Sequence, residues 1–126
     1  MDRNALINLI DSLELDIRDF VILSSGALVL RNIMDTASDL DIAVTEKGFE
    51  KLKNNYQLKE KEFKGWYNVT DKIECVVNDM KGKKEKLGKY YVQDINDYLE
   101  YLKNSSRSKD QLRIPKVVEY IKNKEV

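Results

Sequence analysis

Residues 24–44 read SSGALVLRNIMDTASDLDIAV, and the final six, Asp39 to Val44, set two carboxylates in an otherwise apolar run, DLDIAV. Side chains alternate between the two faces of a strand, so Asp39, Asp41 and Ala43 share one face and Leu40, Ile42 and Val44 the other. The apolar set packs on a core, and the acids stand about 7 Å apart at Cα. Like charges this close at the margin of a core repel one another and lose hydration unless a cation neutralises them. Two readings follow: a cation site, or an edge strand in which Asp39 caps a turn through Ser38 and Asp41 is solvated.

Upstream, FVILSS, Phe20 to Ser25, reads as a buried strand. Gly26 follows it, and ALVLRNIM is helix-compatible, so the segment reads as strand, glycine turn, helix. A backbone without Cβ leading into a helix N-terminus suits phosphate oxygens, which gives Ser25 and Gly26 a candidate role.

Working outward, Leu6, Leu9, Ile10 and Leu13 recur at helical spacing, and Thr45 with Glu46 suits the start of a helix through EKGFEKLKNNY. From Gln57 to Asn78, QLKEKEF, WYNV and KIECVV are short and β-prone, and turn signals at Lys64-Gly65 and Thr70-Asp71-Lys72 separate them. This predicts an antiparallel meander that completes the sheet. KIECVV repeats the oddity of DLDIAV, with Glu74 between Ile73 and Cys75. If the two strands are neighbours, Glu74 supplies a third carboxylate, and Cys75 turns to the core.

Residues 78–89 hold five lysines and two glycines and are expected to form a loop, either a solvated connection or one that faces phosphate or nucleic acid. Ile95, Tyr98, Leu99 and Leu102 predict a helix with Asp94 as its N-cap, and Pro115 fits the first turn of a last helix built on Val117, Val118 and Ile121. Trp66 and Tyr67 suit sheet packing or stacking on a ring. Tyr90 and Tyr91, leading into the C-terminal helix, suit pocket lining or sheet cover.

The 126 residues, 42% hydrophobic and 35% charged, fit one domain over residues 1–126. Twenty-two basic residues balance 22 acidic ones, so there is no global basic field for nucleic acid. One cysteine and no histidine exclude a disulfide framework, a zinc cluster and Ser-His or Cys-His dyads built from this chain alone. No run approaches the roughly 18 apolar residues of a membrane span, so the expectation is a cytoplasmic protein without a membrane partner.

Oxygen ligands without histidine or thiolate suit a hard ion, Mg²⁺ or Mn²⁺. Three carboxylates on adjacent strands can hold two such ions, an arrangement that positions a nucleoside triphosphate and activates an attacking oxygen.

The ordered combination of Ser25-Gly26, Asp39-Leu40-Asp41 and Glu74 resembles the DNA polymerase β-like nucleotidyltransferase superfamily. KNSSRSKDQL, with Lys103, Arg107, Lys109 and Asp110, is similar to a pattern of its small bacterial members, among them abortive-infection toxins and relatives of antibiotic nucleotidyltransferases. The resemblance covers roughly residues 20–112. It implies the nucleotidyltransferase fold, an α/β (α+β) domain whose mixed, mostly antiparallel sheet of four or five strands carries helices mainly on one face.

It also implies transfer of a nucleoside monophosphate from a nucleoside triphosphate to a hydroxyl of a small molecule, an RNA end or a protein side chain. Asp39, Asp41 and Glu74 would be the catalytic metal ligands, Ser25 and Gly26 would hold phosphates, and Lys103 and Arg107 would contact them from one helix face. A second chain, a copy of this one or a helical partner protein, could complete the pocket. The order Ser24-Ser25-Gly26 and the acid Asp35 depart from the family pattern, which leaves open a catalytically silent module that binds a partner or a nucleotide.

Overall fold

The computed structural model describes residues 1–78 and 82–124. Its order begins α1 (Arg3–Ser12), a 3-10 turn (Ile17–Asp19), β1 (Phe20–Leu23), α2 (Ser24–Leu30), β2 (Leu40–Val44) and α3 (Glu46–Asn55). It continues with β3 (Lys59–Glu60), β4 (Trp66–Asn68), β5 (Ile73–Val77), β6 (Lys84–Leu87), β7 (Tyr90–Gln93), α4 (Ile95–Asn104) and α5 (Ser108–Lys124). The strands form one open, mixed sheet in the order β3-β4-β5-β2-β1-β7-β6. β1 pairs with β7 and β2 with β5 in parallel, and the other neighbours are antiparallel.

Alternation sorts the central strands as DLDIAV foretold. Phe20 and Ile22, Leu40, Ile42 and Val44, Ile73 and Cys75, and Tyr90 and Val92 join one core with Leu6 and Ile10 of α1 and Leu52 of α3. A second cluster binds Leu28 of α2 to Ile95, Tyr98 and Leu102 of α4 and Val117 of α5. The other face of the central strands carries Asp41 and Glu74, neither of which is fully buried.

Local chemistry sets the helix starts. Thr45 Oγ1 accepts the Gly48 N–H at 3.1 Å, and the Asp94 carboxylate accepts the Asn96 and Asp97 N–H groups at 3.1 Å each, so both caps stand where the sequence puts them. The meander is present as β3, β4 and β5. No helix among the described residues is long and apolar enough to cross a membrane.

Three expectations need correction. The sheet has seven strands instead of four or five. One addition, Lys84–Leu87, lies in the segment read as a loop and the other, Tyr90–Gln93, in the stretch read as leading into the C-terminal helix; they form a hairpin whose two-residue turn puts Gly88 at φ +59. Glycine adopts that conformation without strain, and the turn closes a strand pair that a lysine-rich composition conceals. Residues 79–81 of that segment lie outside the described ones. Pro115 sits inside α5, which begins at Ser108, instead of in its first turn.

The earlier start of α5 follows from its N-terminal contacts. Ser105 Oγ accepts the Arg107 N–H at 3.2 Å, and buried Asp110 in the first turn accepts from Ser105 Oγ at 2.6 Å and from Arg107 Nε at 2.8 Å. These bonds, with a carboxylate at the positive end of the helix, outweigh the backbone bond that an internal proline lacks.

Candidate functional site

The parallel pairing of β2 with β5 puts Leu40 opposite Ile73, Asp41 opposite Glu74 and Ile42 opposite Cys75. Asp41 and Glu74 therefore project from one face of neighbouring strands, which run about 4.8 Å apart. Asp39 stands just before β2 and is exposed.

Burial, then the negative charges of Glu74 and Asp39, push the Asp41 carboxyl up to about 6, although Lys61 and Lys109 act in the opposite direction. Among the described residues, the two lysines that act on Asp41 do not offset this rise. Among the described residues, no group of three or more His, Cys, Asp and Glu side chains is gathered closely enough to hold a metal ion. Glu74 is instead engaged by Lys61, whose Nζ lies 2.5 Å from its Oε1. Carboxylate oxygens suit a hard ion such as Mg²⁺ or Mn²⁺ in kind, and Asp41 and Glu74, the latter paired with Lys61, are the residues that would hold one here.

Asp41 and Glu74 line a cavity of about 530 Å³ together with Leu23, Ser24, Lys61, Gln93 and Arg107, whereas Asp39, expected as the third acid of the set, is exposed and not among the cavity residues. Aromatic side chains form its walls: Phe63 and Trp66 from the β3–β4 hairpin, and Tyr98 and Tyr101 from α4. Phe63 is 72% exposed, an unusual position for a large apolar ring. Tyr98 and Tyr101 stack with centroids 5.9 Å apart and planes 10° from parallel. The Tyr98 hydroxyl accepts from Arg113 Nη1 at 2.9 Å, which fixes the stack from beneath.

The predicted phosphate turn takes a different form. Gly26 is buried within α2, and a Cβ there would stand 3.1 Å from Ile22 Cγ2 and 3.6 Å from Leu40 Cδ1. Its missing side chain lets α2 approach the sheet and does not open space to the cavity. Ser25 is half-buried and is not among the cavity residues. Ser24 is the residue of this turn that lines the cavity; its φ of +50 lies in the left-handed region, and its N–H donates to Gln93 Oε1 at 3.2 Å. The left-handed step turns the chain from β1 directly into α2.

Lys103 and Arg107 do not share a helix face. α4 ends at Asn104, and Ser105 turns extended with ψ 141, so Arg107 falls between α4 and α5. Arg107 lines the cavity, while Lys103 lies 3.9 Å from Glu100 and is not among the cavity residues. The Arg107 guanidinium is held by buried Asp110 and reaches the Tyr101 hydroxyl at 3.4 Å. Lys109 acts on Asp41 only through its charge.

Lys61, Gln93, Tyr98 and Tyr101 are site residues that no motif in the sequence marks. For Lys61 there was one usable signal: in an antiparallel meander it falls beside Trp66, and its N–H does donate to the Trp66 carbonyl at 2.8 Å. Tyr98 read only as a helix core position, and the second cluster confirms that it is also one. No family model, curated protein or solved structure matches the chain.

Proposed function

We propose that this protein is a metal-dependent nucleotidyltransferase, moving a nucleoside monophosphate from a nucleoside triphosphate to an acceptor hydroxyl with release of pyrophosphate. One observation carries the reading: Asp41 and Glu74 stand in register at a cavity large enough for a nucleotide, and the Asp41 charge is left wanting a cation.

In this reading Asp41, Asp39 and Glu74 hold Mg²⁺ or Mn²⁺. The bound ion would offset the triphosphate charge and favour attack at the α-phosphorus. Glu74, once free of Lys61, accepts the acceptor hydroxyl proton. Ser24 and Arg107, which line the cavity, would flank the phosphates in place of Ser25 and Gly26. The aromatic walls offer ring faces to a base or to the acceptor. The acceptor is a small molecule, an RNA end or a protein side chain, and a copy of this chain or a helical partner protein would complete the pocket.

Calorimetry with each common nucleoside triphosphate, with and without Mg²⁺, tests the reading; absence of Mg²⁺-dependent binding refutes it. Labelled triphosphate incubated with cell extract then identifies the acceptor.

A second reading, a catalytically silent module that binds a nucleotide or a partner protein, is favoured by the Lys61–Glu74 pair and by the buried position of Gly26. It predicts that Asp39→Asn and Asp41→Asn leave nucleotide or partner binding intact, and loss of binding in both variants counts against it.

A further inference from the structure

Lys61 is the lysine among the residues that line the cavity. Its backbone is pinned, since its N–H donates to the Trp66 carbonyl at 2.8 Å next to a tight turn in which Gly65 takes φ +89. Its ammonium enters the cavity and sits 2.5 Å from Glu74 Oε1, with both side chains about three-quarters screened from solvent, at 27% and 28% exposure. Glu74 is in turn the register partner of Asp41. A cation therefore already stands on one of the two facing carboxylates, supplied by the chain, while the other is left without an ion pair among the described residues. Lys109, which also acts on Asp41, is exposed and only charge-coupled to it.

We propose that Lys61 is the resident counter-cation of Glu74 and that a divalent cation binding at Asp41 and Glu74 must displace it. The inference rests on the reading of these carboxylates as metal ligands. Lys61 is then a positioning residue: it keeps two adjacent carboxylates compatible with folding in the absence of metal, and it sets how tightly the metal binds. Its four-carbon stem allows the ammonium to swing from Glu74 while its backbone stays in the hairpin. The displaced ammonium remains at the cavity wall, where a triphosphate brings negative charge.

The test is a Mn²⁺ titration of the purified protein, followed through the paramagnetic resonance signal of the free ion, with no nucleotide present. Lys61→Met and Lys61→Gln are compared with the wild type and with Lys109→Met, and folding of each is checked by circular dichroism. Displacement predicts that both Lys61 variants bind Mn²⁺ about three- to fivefold more tightly than the wild type, the worth of one partly exposed ion pair. Lys109→Met, which removes the same charge without vacating a ligand, changes affinity by less than about twofold. Equal effects of Lys61 and Lys109 substitutions, or no gain in the Lys61 variants, overturn the proposal. Absence of Mn²⁺ binding in every variant overturns both it and the metal-site reading. Mn²⁺ binding as expected with no triphosphate binding leaves Lys61 in this role and refutes the transferase reading alone.

Discussion

Asp41→Asn should make the protein more stable at neutral pH, and less so in acid. The native Asp41 carboxyl stands at about 6, raised first by burial and then by Glu74 and Asp39, against roughly 3.9 in an unfolded chain. The folded state thus holds the proton more tightly than the unfolded one between these values. Stability falls as pH rises through that window and stays lower above it. The gap corresponds to at most about 3 kcal/mol at pH 7, and because Asp41 keeps some contact with water, about half of that is the reasonable expectation.

Asparagine has nearly the shape of aspartate but carries no charge, so the substitution should recover about 1–1.5 kcal/mol at pH 7.5. At pH 4 native Asp41 is already protonated, and the gain should almost vanish. Urea unfolding of wild type and variant at both pH values measures the difference through the midpoints at unchanged slope. High salt should reduce the gain only in part, since burial, the first cause, is not screened. A variant no more stable than wild type at pH 7.5, or one with the same gain at pH 4, would refute the assignment of Asp41 as a partly buried carboxylate that prefers its proton.

Gly26→Val should unfold more easily by about 2 kcal/mol, because its added methyls press on Ile22 and Leu40; Gly26→Ala should cost less, since helix propensity offsets the crowding. Thermal unfolding checks this, and a Gly26→Val variant of normal stability that has lost triphosphate binding would restore the glycine to the phosphate site. Asp110→Ala should cost about 2 kcal/mol by removing the anchor of Ser105 and Arg107, and should loosen Arg107 at the cavity. Arg107 holds the Asp110 carboxyl below the usual carboxylate range, so this contribution is present at neutral pH and is lost as pH falls below that range. Urea midpoints of wild type and Asp110→Ala should therefore converge in acid.

Much of the fold was legible because its signals are local. The alternation of DLDIAV and KIECVV, the caps at Thr45 and Asp94 and the turns of the meander each depend on a few adjacent residues, and each stands in the structure. The β6–β7 hairpin was not legible for the same reason in reverse. Lys84, Glu85 and Lys86 lack the apolar alternation of a strand, and their pairing is fixed by β7 and by contacts far away in sequence, such as the ion pair of Glu85 with Arg31. Gly26 shows how a residue type can be read correctly and its use misassigned. A glycine after a strand serves a phosphate turn or a close helix approach equally well, and only the distance to Ile22 selects the second.

By itself the sequence determined which side chains lie on which face of each strand: the acids of Asp41 and Glu74 on one, Leu40, Ile42, Ile73 and Cys75 on the other. That follows from a backbone whose side chains repeat every two residues. The tertiary structure alone decided that Asp41 meets Glu74 in a parallel register, that Lys61 crosses to Glu74, and that Arg107 and two tyrosines of α4 close the cavity around them. Those contacts join residues distant in the chain, and their geometry is set by the packing of the whole core, which no local pattern encodes.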